Sequence, residues 1–165
     1  PQEFQDKIRY ACQTRDELDP NFLIIARSDT CRELGLDEAV SRINLGAEVG
    51  ADMGLLFPRN KDEAQKAPKE CKIPLVYVQS RGNRDGRPLF SSNELKGMGY
   101  AMCIDAQIML ATAFHAQKSM LKQLKKQGDF TLIEPNNMTR IRQEIEDIID
   151  LEKYYEIEAA TVEDK

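Results

Sequence analysis

Phe22-Leu-Ile-Ile-Ala-Arg-Ser-Asp-Thr30 decides how this chain folds. An almost wholly apolar run, residues 22–26, leads straight into an arginine and an aspartate. The run is too short for a helix of its own, and Ile24 and Ile25 are β-branched, so the pattern predicts a buried parallel strand over 22–27. Arg27 and Asp29 then fall at the strand's carboxyl end, where α/β sheets and barrels place their chemistry. Such a pair fits either a functional site or a loop pinned by an ion pair.

Outward from this strand the chain alternates. Phe4, Ile8, Ala11 and Cys12 sit at helical spacing, so an amphipathic helix precedes it. Leu36, Val40, Ile43 and Ala47 mark a following helix, with Asp37 and Glu38 in its first turn and Gly50 at its end. Met53–Phe57 reads as a second buried strand, closed by Pro58, and residues 59–69 suit a short helix. A third strand covers 73–78, with its proline near the start, where it is tolerated. A loop rich in glycine and arginine, 80–88, follows; Ser91 or Ser92 then caps a short helix through Gly97. Residues 100–104 form a fourth strand, and a long helix from about 106 to 127 ends in lysines and Gly128. Beyond Pro135, the residues Met138, Ile141, Ile145 and Ile148 make a further helical stripe, and the acidic tail 156–165 is expected to fray.

Composition narrows the function classes. A chain of 165 residues with 31% charged and 41% apolar residues suits one globular domain with a real core. A net charge of −5 argues against nucleic acid as a partner, since no basic face offsets it. No apolar run approaches the roughly 20 residues of a membrane span, and the first residues do not resemble a signal peptide. The four cysteines (Cys12, Cys31, Cys71, Cys103) form no C-x-x-C pair, so a reduced, cytoplasmic protein is expected, with Cys12 and Cys103 as packing residues. With His115 the single histidine, a zinc site is not expected.

Strand and helix in alternation mean right-handed crossovers and a parallel sheet. The repeat spacing is that of a (β/α)₈ barrel, which takes about 250 residues. Four strands are half of that, and an unclosed half would expose two edges of buried type. The expected fold is therefore α/β, half of a TIM barrel over 1–130, with a helical extension over 131–165.

Several stretches also resemble a known family. Ala26-Arg-Ser-Asp-Thr30 is similar to the A-R-T-D-A signature of the isocitrate lyase and phosphoenolpyruvate mutase superfamily. The likeness continues through Gly35-Leu-Asp-Glu-Ala39, Gly50-Ala-Asp52, Leu56-Phe-Pro58, Pro88-Leu-Phe-Ser91 and Glu94-Leu-Lys-Gly-Met-Gly-Tyr100. It falls on the family's carboxyl-terminal half. The resemblance implies a Mg²⁺-dependent barrel whose metal-binding carboxylates, and a K-x-C-G-H gating loop, belong to the amino-terminal half and not to these residues. That half of the barrel is thus an implied partner, as is a homo-oligomer, a dimer of dimers. The stripe Met138 to Ile148 suits either a helix swapped onto a neighbouring subunit or one packed on its own domain.

The activity so implied is cleavage of a C–C bond in a small 2-hydroxy di- or tricarboxylic acid, as in methylisocitrate or dimethylmalate lyase, through an enolate. Oxaloacetate decarboxylation or hydrolysis, phosphonopyruvate P–C chemistry, and a degenerate non-catalytic subunit are the alternatives. Arg27 matches the family arginine that holds the substrate carboxylate in two-point contact, and Asp29 is expected to orient its neighbours. Two departures stand out. Arg59 occupies the place where the family usually has glutamate, and the loop after the third strand differs, so that Gln79 is a candidate for a missing asparagine. Arg81, Arg84 and Arg87 suit either a solvated loop or one closing over an anionic substrate, and Arg59 joins the substrate-binding candidates.

Overall fold

A computed structural model describes residues 1–128 and 133–162. The chain divides into two compact units, Pro1–Met109 and Leu110–Lys165. The boundary expected between 130 and 131 lies outside the described residues.

In the first unit, α1 (Gln2–Leu18) leads into β1 (Ile25–Ser28), followed by α2 (Cys31–Glu48), β2 (Met53–Leu56), α3 (Lys61–Glu70), β3 (Leu75–Gln79), α4 (Ser92–Met98) and β4 (Met102–Asp105). The four strands form one sheet in the order β1-β2-β3-β4, and every pairing is parallel. Neighbours in sequence are neighbours in the sheet, as a barrel requires. The first strand starts at Ile25, three residues later than the apolar run suggested, because Ile24 lends its carbonyl to Asp52 and Met53 instead of joining the ladder. Helix α2 starts earlier than its stripe, at Cys31, and breaks at Gly35, whose φ of 84° no helix accommodates.

Side chains alternate across the sheet, so register assigns its two faces. One carries Ala26, Leu56, Leu75 and Tyr77, which are buried with Ala39, Val40 and Ile43 of α2 and with Ala64 and Ala67 of α3. The other carries Ile25, Arg27, Leu55, Val76, Val78, Met102 and Ile104, aligned across the strands by their pairings. That face is apolar, yet Met102 and Ile104 stay exposed. Cys103, expected among packing residues, is exposed as well, whereas Cys12 is buried.

The second unit holds most of α5 (Ile108–Gln127), α6 (Pro135–Ile148) and α7 (Leu151–Thr161). None of these helices has a buried residue. The tail expected to fray from Glu156 is helical as far as Thr161, and its last residues, 163–165, lie outside the described region. No helix among the described residues is long and apolar enough to cross a membrane.

Candidate active site

At the carboxyl ends of β1 and β2 a cavity of about 200 Å³ opens between Arg27, Asp29, Arg32, Phe57, Arg59 and the loop residues Asp85 and Arg87. Its floor is Phe57. Residues 53, 55 and 57 share a face, and this places the ring beyond Leu55 at the mouth of the sheet. Arg27 and Arg87 both set their guanidiniums against that ring, 4.9 and 4.7 Å from its centre. Each contact is a cation–π interaction worth about 0.5–1 kcal/mol when partly exposed.

Arg27 meets Asp29 edge to edge. Its Nε donates to one carboxylate oxygen at 2.7 Å and its Nη2 to the other at 2.9 Å. These bonds hold the guanidinium charged, pushing its pKa further up. Two of an arginine's five N–H donors are thereby used, and the opposite edge of the fork is left for a ligand. The strand sets Arg27's direction: it pairs with Leu55 across the ladder and shares that residue's face of the sheet.

Arg59 is fixed by the start of the next helix. Asn60 caps α3 by accepting from the Glu63 N–H at 2.9 Å, and Glu63 Oε2 accepts from the Arg59 N–H at 2.7 Å. The side chain of Arg59 then reaches the loop, donating from Nη2 to the Asp85 carbonyl at 2.9 Å. Four guanidiniums against two carboxylates leave the cavity two positive charges in excess, on a chain whose net charge is −5.

Gln79 does not reach this cavity. It lies on the helix-covered face with Tyr77, 6% exposed, and its side-chain nitrogen donates to the Phe90 carbonyl while its oxygen accepts from the Phe90 N–H at 3.1 Å. Both ends of the amide therefore clamp the returning loop. Strand alternation turns residue 79 away from the face of residues 76 and 78, so the amide expected in place of a substrate-binding asparagine is bonded to Phe90 in this structure. Arg81 also stands outside the cavity, 3.7 Å from Asp105, and Arg84 is exposed. His115 is exposed on α5. Cys31 is buried, and burial pushes its thiol pKa up.

Asp85 and Arg32 are not among the site residues the sequence suggests, and Phe57 enters there only as the end of a strand and part of Leu56-Phe-Pro58. Phe57 has a local signal, the period-2 continuation of its strand. Asp85 and Arg32 have none, because they meet across 53 residues.

A parallel four-stranded sheet in sequential order, with an arginine-lined cavity at its carboxyl ends, is the architecture of half of a (β/α)₈ barrel. The phosphoenolpyruvate phosphomutase family profile matches residues 1–125, and the chain belongs to that family. A 2,3-dimethylmalate lyase from Eubacterium barkeri is 30% identical over 157 residues, which is 95% of this chain and 53% of the enzyme. Among solved structures, oxaloacetate acetylhydrolase with its product oxalate superposes with a TM-score of 0.85 at 28% identity, over 96% of this chain and 54% of that one. Phosphonopyruvate hydrolase, solved with oxalate and Mg²⁺, gives 0.75 at 26%, over 98% and 56%. The chain spans about half the length of the curated relatives it matches.

Proposed function

We propose that these residues form the substrate-orienting half of a cytoplasmic, Mg²⁺-dependent lyase that breaks a C–C bond in a small 2-hydroxy di- or tricarboxylic acid, in the manner of methylisocitrate or dimethylmalate lyase. The observation that carries the reading is Arg27: a guanidinium at the mouth of the sheet, bonded along one edge to Asp29 and lining a cavity in which arginines outnumber carboxylates. Cleavage beside a carboxylate leaves an electron pair delocalised as an enolate-type oxyanion, and a cation held in fixed geometry favours that charge. Arg27 would hold the substrate carboxylate bidentately; Asp29 would keep the fork from turning.

Among the described residues no three His, Cys, Asp or Glu side chains stand together as a metal site, and both Asp29 oxygens are engaged by Arg27. The residues present do not make a magnesium site. The ion's ligands belong, on this reading, to the amino-terminal half of the barrel. The unburied helices α5, α6 and α7 suit docking on a second subunit of a homo-oligomer.

The test is pyruvate release from a panel of 2-hydroxy acids by the full-length protein with Mg²⁺. Activity is expected on a branched di- or tricarboxylate, and Arg27→Ala should lower kcat/KM about a hundredfold, the equivalent of one or two charged hydrogen bonds. Arg59, in place of the family's glutamate, favours a second reading, a non-catalytic subunit. That reading prevails if no acid is cleaved while oxalate still binds.

A further inference from the structure

Asp85 stands in the wall of the cavity and meets its arginines as an anion would. Its carboxylate accepts from Arg32 Nη1 at 3.1 Å and lies 3.9 Å from both Arg59 and Arg87, and its carbonyl takes the bond from Arg59 Nη2. The loop that delivers it is tied at its base, not at its tip. Asn83 Nδ2 donates to the carbonyls of Ser80 and Arg87 at 2.9 and 3.2 Å, and its Oδ1 accepts from the Arg87 N–H at 2.8 Å. Between these ties Asp85 is followed by Gly86, and Gly82 stands just before Asn83; their φ angles of 65° and 76° favour glycine, and neither has a neighbour within 4 Å of an added Cβ. The tip thus rests over the cavity chiefly through half-exposed ion pairs. Such pairs contribute little individually, and an incoming carboxylate offering the same contacts replaces them readily.

We propose that Arg32, Arg59 and Arg87 form a second carboxylate subsite beside Arg27, that Asp85 fills it as an internal stand-in when no ligand is bound, and that a ligand with two or more carboxylates displaces Asp85. This deepens the reading of Arg27 as a carboxylate holder and rests on it. Arg59 is then not a lost catalytic glutamate but half of a selectivity device. A monocarboxylate satisfies Arg27 alone and leaves Asp85 in place; a polycarboxylate spans both positions. The preferred ligand class is an aliphatic di- or tricarboxylate.

Calorimetric titration of the full-length protein in EDTA tests this apart from any Mg²⁺-dependent reaction, with tricarballylate, pyruvate and inorganic phosphate as probes. Asp85→Asn keeps the loop's size and removes the competing charge. It should tighten tricarballylate binding about tenfold, and Arg59→Gln should weaken it about tenfold, the scale of one charged hydrogen bond. Pyruvate affinity should change less than about twofold in both variants, since its contact is Arg27. Unchanged or weaker tricarballylate binding in Asp85→Asn overturns the proposal, as does an equal gain for pyruvate. Phosphate that gains from Asp85→Asn while tricarballylate does not overturns the assignment to carboxylates. Because no metal is present, failure of the lyase assay leaves this result standing, and failure here leaves the lyase assay untouched.

Discussion

At the scale of single residues, the sheet tolerates little change beneath the cavity. Gly54 stands in β2 where a Cβ would come 2.4 Å from Ile43 Cγ2 and 2.8 Å from Leu75 Cδ2. Both neighbours are fully buried and Ile43 is β-branched, so neither swings aside freely. Gly→Ala ordinarily gains about 0.4–1 kcal/mol by restricting the unfolded chain. Overpacking costs about 1–3 kcal/mol and outweighs it here. Gly54→Ala should therefore lower the urea midpoint with an unchanged denaturant slope; a higher midpoint would show that the core gives way. Asp52 is a second such point. One oxygen, Oδ2, accepts from Arg15 Nη1 at 2.6 Å and from the Ile24 N–H at 2.8 Å, joining α1 to the entry of β1. Asp52→Ala should cost about 1.5–3 kcal/mol in chemical denaturation, as bonds to a charged acceptor do.

At the scale of elements, local caps set where helices begin and thereby where side chains arrive. Helix α4 opens with a capping box: Ser91 Oγ accepts from the Glu94 N–H at 3.2 Å, and Glu94 accepts from the Ser91 N–H at 2.8 Å. Ser91→Ala should cost about 1 kcal/mol. The backbone and hydroxyl of Ser91 hold the Glu94 carboxyl below its usual range. A lowered folded-state pKa means that this stabilisation is complete above the unfolded carboxylate value of about 4.3 and is lost as pH falls through the lower folded value. Amide protection at residues 94 and 95, taken relative to the intrinsic exchange rate at each pH, should fall over that window, and Glu94→Gln should flatten the dependence. The same logic explains the site: the Asn60 cap on α3 fixes the backbone of Arg59, and one strand's alternation sends Arg27 to the cavity while another's sends Gln79 away from it.

At the scale of the whole molecule, the sheet has one face covered by its helices and one apolar face that is partly bare. Tyr10, Leu18, Phe22 and Leu23 are exposed beside the β1 edge, Met102 and Ile104 on β4. Edges and faces of this kind associate with whatever apolar surface is offered. A protein restricted to these 165 residues should bind an apolar fluorescent dye strongly, and one carrying a preceding four-stranded half should not. Equal dye binding by both would mean that the bare face is not the inside of a barrel.

The order of strands and helices, their parallel arrangement, the family and the placing of Arg27 at a strand's carboxyl end were all legible in the sequence. They follow from periodicity and from contiguous motifs, whose information is local. Tertiary structure alone decided which arginines line one cavity and that Gln79 is spent on Phe90. Asp85 reaches Arg32 across 53 residues and Arg59 across 26, through loops whose course no residue pattern records. Charges so far apart in the chain become neighbours only when the sheet has brought the strand ends together, and only then do they add up in one cavity.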